Sequence, residues 1–597
     1  MSLFNPADKI NMNKKKLPKK ISVFLFLIIF SSEKFFSQTA LYQTDLSTLS
    51  PSWQTVIGGE IVAPPAETSY GFAAVTDGRM ISAFTQKGVI LWQKSIKGKS
   101  ERFFSSWNDF LIAVTDKSVL NFINPGGTFL WSVDCGFEIT QNPFVGRDGR
   151  IFVQGKKNIA CYGLKGSQKW KLELKENAVF STSELPDGSL VFFFEQTDDG
   201  KTHGFRLSPF GEVLEEITFA GKITAKSSCS DGILMAFEDG SAGLFAENKN
   251  DSVSKWVLKS EIQNSPIKKI ICGQKTSALL YNKGTELKIK TVENSTGRLI
   301  SEFSGGIMSL FDTVFLRPTD RGFFISSSFK AIEFDENGNI FWEAKLPSKA
   351  TWNFVTYTSS NQLFLCMKNW VLNAFVMSQS VGNKKIVSQT KKTYTAPSKN
   401  IQSFDGIVYS PVPLSRIEEI QAAFQKKDFF QKEKTMTEEL QELSQSYLSE
   451  LFEKNRNPHE DKSFYSNNPI YTQKFLEAMS YSESDIFVSD FANFLELEED
   501  PFLLDILVQT SANSGYDESG QILKAYEIII EKKLQKKDVK LAKLLCDSTY
   551  KIVAFMGRPA LYRQGKQILS NFMTDRFDRQ VRSYAGETFT KILKLEL

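Results

Sequence analysis

The first two-thirds of the chain consist of short apolar runs separated by turn residues at regular intervals. In one such unit, residues 72–75, 80–84 and 89–92 are mostly apolar, and polar or glycine-containing turns separate them. Asp-Gly pairs recur in these turns, and such pairs favour tight hairpins because both central residues of the turn need positive φ. The pattern predicts repeated units of four short antiparallel strands.

A tryptophan recurs in this pattern, usually four positions after a turn glycine. Counted from Trp53, the first three intervals are 39 residues each, and later intervals are 45, 41, 45 and 41 residues if Glu215 and Ser301 occupy the tryptophan position. The repeat positions are Trp53, Trp92, Trp131, Trp170, Trp256 and Trp342, with turn glycines Gly88, Gly127, Gly166, Gly211, Gly297 and Gly338. A period near 40 residues with four strands per unit is typical of a β-propeller. The units predict eight blades, with seven as the alternative.

The repeated tryptophans have a structural interpretation and a functional one. One large aromatic side chain at the same strand position in each unit is expected to fill the gap between neighbouring blades. The alternative is that the tryptophans form a ligand-binding surface. We favour the structural interpretation, in which Glu215 and Ser301 mark blades with different packing.

The pattern changes after the repeats. Residues 382–411 are polar and predict a linker. Residues 412–597 hold only five of the 36 glycines, and apolar positions recur there at helical spacing. Asp500, Asp538 and Asp578 have the character of helix N-caps, spaced 38 and 40 residues apart. Each interval has room for two helices, so we predict an all-α domain of HEAT-like pairs or of a helical bundle.

Residues 1–40 have the plan of a secretory signal peptide. A lysine-rich stretch at 14–20 precedes an apolar run at 21–30 that is too short to span a bilayer. Small residues between Ser37 and Ala40 suit cleavage, and no cysteine follows the run to carry a lipid anchor. The alternative is an uncleaved anchor. The sequence therefore predicts export of residues 41–381 and the domains that follow, without a membrane span after cleavage.

Charge and histidine content narrow the classes of function. The chain has 72 Lys and Arg against 68 Asp and Glu, a net of +4, but residues 1–40 hold +5 of this, which leaves −1. A net charge near zero does not indicate the excess of basic residues that nucleic-acid-binding proteins carry. His203 and His459 are the only histidines, which removes most histidine-based catalysis and metal binding. With no dinucleotide, phosphate-loop or nucleophile motif, we predict no catalytic residue, cofactor or metal site.

The blade ends resemble the quinoprotein-type (PQQ-like) propeller repeat. At residues 120–131 and 332–342 a strand leads into a polar turn with glycine, and tryptophan follows four positions later. Enzymes of this superfamily are alcohol and sugar dehydrogenases that use pyrroloquinoline quinone and Ca²⁺. The alcohol dehydrogenase type places a disulfide between adjacent cysteines over the cofactor, whereas the six cysteines here are never adjacent.

The chain is therefore more similar to the non-catalytic class of this superfamily. That class includes the propeller subunit of the outer-membrane β-barrel assembly machinery, although this chain lacks a lipid-attachment cysteine and adds a C-terminal domain. The resemblance implies an exported, non-enzymatic scaffold that binds protein partners in the periplasm or outer envelope. The alternatives are a diverged quinone-dependent dehydrogenase and a carbohydrate- or cell-wall-binding module.

Overall fold

A computed structural model describes most of the chain after residue 42. The predicted signal peptide and linker lie outside the described residues. The description covers residues 43–596 apart from 195–200, 247–252, 259–265, 306–312, 378–411, 427–432 and 457–463 and the single positions 147, 179, 186, 220, 230 and 285.

The strands from Gln43 to Val376 form eight antiparallel blades arranged in a ring. Two strands, β1 (Gln43–Asp45) and β2 (Trp53–Val56), precede the first complete blade. Blades 1 and 2 contain β3 (Ala66–Thr68), β4 (Gly71–Val75), β5 (Met80–Thr85), β6 (Ile90–Ser95), β7 (Ser100–Trp107), β8 (Phe110–Thr115), β9 (Val119–Ile123) and β10 (Phe129–Asp134). Blades 3 and 4 contain β11 (Phe144–Val145), β12 (Ile151–Gln154), β13 (Asn158–Tyr162), β14 (Gln168–Glu173), β15 (Ser183–Glu184), β16 (Leu190–Phe193), β17 (Thr202–Leu207) and β18 (Val213–Phe219).

The second half of the ring follows the same order from inner to outer strand. Blades 5 and 6 contain β19 (Ile223–Cys229), β20 (Gly232–Phe237), β21 (Ala242–Ala246), β22 (Val253–Leu258), β23 (Lys269–Cys272), β24 (Thr276–Lys283), β25 (Glu286–Glu293) and β26 (Leu299–Ser304). Blades 7 and 8 contain β27 (Thr313–Thr319), β28 (Gly322–Ser327), β29 (Lys330–Phe334), β30 (Ile340–Lys345), β31 (Trp352–Tyr357), β32 (Gln362–Met367) and β33 (Val371–Val376).

The ring is closed by its own first strands. β2 supplies the outer strand of blade 8 and pairs antiparallel with β33, so that Trp53 lies opposite Ala374. β1 adds a fifth strand to blade 7, parallel to β30. The prediction of eight blades is confirmed, and the alternative of seven is wrong. Strand pairing between the two ends of the domain therefore completes blade 8 and closes the ring.

Ten α-helices follow the propeller within the described residues. They are α1 (Leu414–Lys426), α2 (Glu433–Arg456), α3 (Phe464–Asn467), α4 (Pro469–Tyr481), α5 (Val488–Leu497), α6 (Pro501–Ser514), α7 (Gln521–Ile528), α8 (Val539–Met556), α9 (Pro559–Phe572) and α10 (Arg579–Leu595). One layer contains α1, α4, α6, α8 and α10, each packed on the next, and a second layer contains α2, α5, α7 and α9. The predicted all-α domain is thus confirmed as stacked layers of helices.

Two of the three predicted caps act at their helices. Asp500 accepts hydrogen bonds from the amides of Phe502 and Leu503 at 2.9 and 3.0 Å, and Asp578 accepts one from the amide of Gln580 at 2.8 Å. These bonds satisfy amides that have no partner within the first helical turn. Asp538 also precedes a helix, but its carboxylate accepts instead from the preceding Gln535 amide at 2.9 Å.

The helical domain and the propeller share one hydrophobic core. The rings of Trp107 and Tyr516 stack with centroids 5.7 Å apart, and the ring of Phe110 lies 6.1 Å from that of Phe555. Buried side chains of blades 2 and 3 continue from these rings into the core of the helices. Burial of apolar surface at this junction stabilises the contact between the two domains.

Buried polar contacts give the junction its geometry. The side-chain amide of Asn124 donates to the carbonyl of Ala554 at 3.0 Å, at the end of α8. The Glu433 carboxylate on α2 lies 3.3 Å from Arg150 and 3.2 Å from Lys169 of blade 3. These three charged residues are each less than a tenth exposed. A buried carboxylate between two buried cations specifies one way for the helices to sit on the ring.

The helices cover one face of the propeller, on blades 2–4. Their contacts are with turns between the first and second strands or the third and fourth strands of a blade. The opposite face, which we call the far face, carries the turns between second and third strands and the connections between blades. In an antiparallel blade these two sets of turns must lie on opposite sides, so the helices leave the far face uncovered within the described residues.

Candidate functional site

The repeat tryptophans join neighbouring blades. The indole of Trp92 donates to the carbonyl of Pro125 in the next blade at 2.7 Å, and its ring lies against Gly127. Gly127 has φ of +81°, and a Cβ there would lie 2.7 Å from the ring. The glycine is therefore required both for its backbone conformation and for the close approach. The same contact recurs between Trp53 and Gly88, Trp131 and Gly166, and Trp170 and Gly211.

Where serine replaces tryptophan, two side chains divide its role. The hydroxyl of Ser301 donates to the carbonyl of Glu336 in the next blade at 2.8 Å. The ring of Phe303 takes the aromatic position, and a Cβ on Gly338 would lie 2.5 Å from it. The hydrogen bond and the ring contact between blades are therefore both kept.

The remaining repeat positions differ in their partners. The indole of Trp342 is buried and donates to the carboxylate of Glu333 at 2.8 Å. Glu215 instead forms an ion pair of 3.6 Å with an arginine of its own blade. The side chain of Trp256 lies outside the described residues, and Gly297 has φ of +70°. These contacts place the described repeat side chains in the propeller framework.

Two of the six cysteines form a disulfide between neighbouring blades. Cys229 ends the inner strand of blade 5 and Cys272 ends that of blade 6, with Cα atoms 5.5 Å apart. The other four are buried and unpaired: Cys135, Cys161, Cys366 and Cys546. Burial raises the pKa of Cys135 to about 11 and that of Cys546 to about 12, so neither thiol is ionised near neutral pH.

An exposed tryptophan that is not part of the repeat lies on the far face. Trp370 occupies the turn between β32 and β33 and is 54% exposed, although its φ is +68°. A bulky residue in left-handed backbone is uncommon, and such positions are concentrated at functional sites. Val56, which is 67% exposed, ends the strand beside it, and the Ile57 amide donates to the Trp370 carbonyl at 2.9 Å.

An open cavity begins three residues further along this chain segment. It has a volume of about 410 Å³ and is lined by Glu60, Ile61, Val62, Asp77, Asn353 and Phe354. Asp77 positions the segment, since its carboxylate accepts from the Glu60 amide at 2.8 Å and its own amide donates to the Glu60 carbonyl at 2.9 Å. Three residues of chain reach at most about 10 Å, so the cavity lies close to Trp370. We call Val56, Trp370 and the cavity-lining residues the Trp370 surface.

The Trp370 surface combines an apolar anchor with acidic and amide groups. The side-chain amide of Asn353 donates to the Glu60 carboxylate, and Asp77 is exposed. At the base, Lys349 donates to the Asn353 carbonyl at 2.7 Å and lies 3.6 Å from the ring of Trp352. Burial lowers the pKa of Lys349. The surface can therefore receive an apolar side chain and a neighbouring basic group.

The tryptophan repeat in the sequence does not point to the Trp370 surface. Trp370 has no turn glycine four positions before it and falls between two mostly apolar runs, residues 363–367 and 371–377. An aromatic residue in a hairpin turn, where polar residues are the rule, was the available signal. The side chains at Glu60, Asp77 and Asn353 come from the two ends of the propeller, so only ring closure brings them together.

The described residues contain no group of three or more His, Cys, Asp or Glu side chains arranged to hold a metal ion. Over the same residues, no helix combines the length and apolar character required to cross a bilayer.

The fold defines the chain as an eight-bladed β-propeller with a C-terminal layer of helices. No protein-family model and no curated protein matches its sequence. Solved propellers with a similar structure include BamB from Moraxella catarrhalis. It is 12% identical over 55% of this chain and 99% of its own, with a TM-score of 0.39. Sqt1 from Saccharomyces cerevisiae is 12% identical over 55% of this chain and 99% of its own, with a TM-score of 0.42. A Dos1 propeller is 10% identical over 56% of this chain and 97% of its own, with a TM-score of 0.41.

The resemblance to quinoprotein-type repeats stays a prediction, because no family model matches the sequence.

Proposed function

We propose that this protein is an exported, non-enzymatic platform of the cell envelope that binds a protein partner through the Trp370 surface. The exposed indole of Trp370 in left-handed backbone is the observation that carries the proposal. Tryptophan is enriched among residues that dominate binding energy at protein interfaces. The Trp370 side chain is about half exposed and does not pack in a hydrophobic core, so it would become fully buried only when a partner binds.

The form of the surface suits a peptide segment of a partner protein. Trp370 and Val56 provide the apolar contact, while Glu60 and Asp77 provide negative charge at the adjoining cavity. A partner with an apolar side chain followed by Lys or Arg would match both parts. The rigid ring positions these groups, because Ile57 is buried and its amide is bonded to the Trp370 carbonyl. Little conformational entropy is then lost in forming the complex.

The test places a photo-crosslinking amino acid at position 56 of the full chain in the native cells, beside an intact Trp370. We expect one crosslinked protein, and we expect Trp370→Ala to weaken its binding to the purified mature chain by about tenfold or more. Asp77→Lys should also weaken binding, because it reverses the charge at the cavity.

Phe502→Ala provides the matched control, since Phe502 is 52% exposed and lies on the helical domain. It should leave the affinity unchanged. The proposal is refuted if Trp370→Ala and Phe502→Ala have equal effects on binding, or if no species crosslinks at position 56.

Export to an oxidising compartment is part of the same proposal. The Cys229–Cys272 disulfide supports it, because disulfides persist in the periplasm and at the cell surface but are rare in the cytosol. Fractionation of the native cells should recover a mature form that lacks residues 1–40 from the periplasm or outer envelope. Recovery of the full-length chain from the cytosol would contradict this part.

A carbohydrate or cell-wall polymer is the second candidate ligand for the Trp370 surface. An exposed indole beside carboxylate and amide groups at Glu60, Asp77 and Asn353 also suits stacking and hydrogen bonding to a sugar. A glycan array with wild type and Trp370→Ala separates the two. Binding of a glycan that is lost in the variant would favour the sugar over the peptide.

A further inference from the structure

The C-terminal helical domain is divided into an acidic part and a basic part. Residues 412–531 contain 24 Asp and Glu against 10 Lys and Arg, a net charge of −14. Residues 532–597 contain 15 Lys and Arg against 6 Asp and Glu, a net charge of +9. The near-neutral total therefore hides a strong local field at the end of the domain.

The basic part comprises the turn before α8 and the helices α8, α9 and α10, and we call it the basic layer. Among the described residues, only three of its fifteen cations lie within ion-pair distance of a carboxylate, namely Lys540, Arg558 and Lys566. The side chains of Lys551, Arg582, Lys591 and Lys594 are all exposed. Most of the positive charge is thus not neutralised within the described part of the chain.

A seam of lysine and tyrosine runs between α8 and α10. The Lys543 ammonium lies 5.6 Å from the ring centre of Tyr584, and the Lys591 ammonium lies 5.8 Å from that of Tyr550. The nearby Asp547 carboxylate is engaged by the Tyr584 hydroxyl at 2.7 and 2.8 Å. Lysine has an apolar stem with a charged end, and tyrosine has an aromatic body with a polar end; both kinds of side chain are typical of the boundary between water and lipid headgroups.

We propose that the basic layer binds a bilayer surface that carries anionic phospholipid headgroups. The exposed cations are spread along α8 and α10, at positions 551, 582, 591 and 594. Leu593 is 40% exposed beside Lys594 and can enter the headgroup region. The inference is independent of the protein partner proposed for the Trp370 surface, which lies on the far face of the propeller.

The energy of such binding comes from several weak contributions. Each Lys or Arg near an anionic bilayer contributes about 1 kcal/mol. Four or five exposed cations would therefore give reversible attachment, which salt should weaken because it screens exposed charges.

The test measures co-sedimentation of the mature chain with vesicles. Binding is expected to vesicles that contain phosphatidylglycerol, not to phosphatidylcholine alone, and it should fall as salt rises. Neutralising two lysines in Lys543→Gln/Lys591→Gln should lower the partition coefficient about thirty-fold, at about 1 kcal/mol for each charge. Lys474→Gln/Lys524→Gln makes the same charge change in the acidic part and should leave binding unaltered.

Three results would overturn the inference. The first is equal binding to neutral and anionic vesicles, and the second is an equal effect of the two double variants. The third is displacement of the vesicles by duplex DNA at a concentration below that of the vesicle lipid, which would assign the basic layer to nucleic acid. The salt dependence of the wild type supplies a readout that does not depend on the folding of any variant. Trp370→Ala should retain vesicle binding, which separates this inference from the proposed protein-binding function.

Discussion

Replacement of Glu433 by Gln removes the carboxylate that joins the helices to the propeller. In the native protein this group lies 3.3 Å from the Arg150 guanidinium and 3.2 Å from the Lys169 ammonium. Arg150 keeps a second carboxylate, that of Asp148, whereas Lys169 loses the carboxylate that lies 3.2 Å from its ammonium. The variant therefore removes the nearby Glu433 anion from a lysine that is 4% exposed and that also donates to the Ser482 carbonyl.

The expected loss follows from the burial of these groups. Removal of one partner from a buried ion pair costs about 3 kcal/mol or more, because the remaining charge is desolvated without compensation. Such a loss corresponds to a decrease of more than about a hundredfold in the equilibrium constant for the docked, folded state. The shared core should confine the loss to blades 2 and 3 and the helices that pack on them.

The measurement is hydrogen exchange of the mature chain as a function of urea, followed by mass spectrometry. Peptides that cover β13, β14 and α2 should lose protection at lower urea in Glu433→Gln. The neighbouring residue gives a matched control, since Lys434 pairs with Glu212 at 3.6 Å where both side chains are about two-fifths exposed. Lys434→Gln should cost less than about 1 kcal/mol, as exposed ion pairs usually do.

A double variant separates the loss of the ion pair from the loss of packing. Lys169→Met added to Glu433→Gln should restore part of the stability, because it removes the buried ammonium that has lost the Glu433 carboxylate. The reasoning is refuted if Glu433→Gln and Lys434→Gln shift the urea dependence equally. It is also refuted if adding Lys169→Met to Glu433→Gln lowers the stability by as much as Lys169→Met lowers that of the native protein.

Gly166→Ala should lower the free energy of unfolding by about 3 kcal/mol, because its methyl group would lie 2.7 Å from the indole of the preceding blade at φ of +81°. Gly188→Ala, at φ of +83° with the nearest atom at 3.6 Å, should show only the backbone cost of about 1 kcal/mol, and equal losses in urea titrations would exclude a role for the ring contact. Alkylation of the denatured, unreduced protein should label four of its six cysteines, since Cys229 and Cys272 are paired across 43 positions, and their replacement by Ser should cost about 4 kcal/mol. Burial and a nearby carboxylate raise the pKa of Asp485 from 3.8 to about 7, so the folded state retains a proton that the unfolded state loses. The contribution of this group to stability should be present at about pH 4, decline as pH rises to about 7 and stay lost above it, and Asp485→Asn should remove that decline in urea midpoints measured across this range.

Much of the propeller could be predicted because each blade repeats its own local requirements. The glycine at position 127 needs left-handed backbone in a turn, and Trp131 follows at the start of the same outer strand. Both requirements fall within a few residues and recur in successive units, so they are visible in the sequence. The contact of that glycine with Trp92 also repeats, at nearly constant separation along the chain.

The presence of helices in the C-terminal domain could be predicted for the same reason, but their position on the propeller could not. Helical periodicity and capping residues such as Asp500 and Asp578 are local signals. The stacking of Trp107 on Tyr516 and the bond from Asn124 to Ala554 join residues more than 400 positions apart. No periodicity in the chain encodes which blades the helices cover.

The sequence by itself predicted a ring of eight units, with seven as the alternative, an α-helical ending and the residues that link one blade to the next, because short-range geometry and a repeated period specify them. Only the tertiary structure decided that Cys229 meets Cys272, that the helices sit on blades 2–4, and that Trp370 faces solvent. Each of these depends on which distant segments lie side by side after the ring has closed. The candidate site is of this second kind, since its carboxylates and its tryptophan come from opposite ends of the propeller.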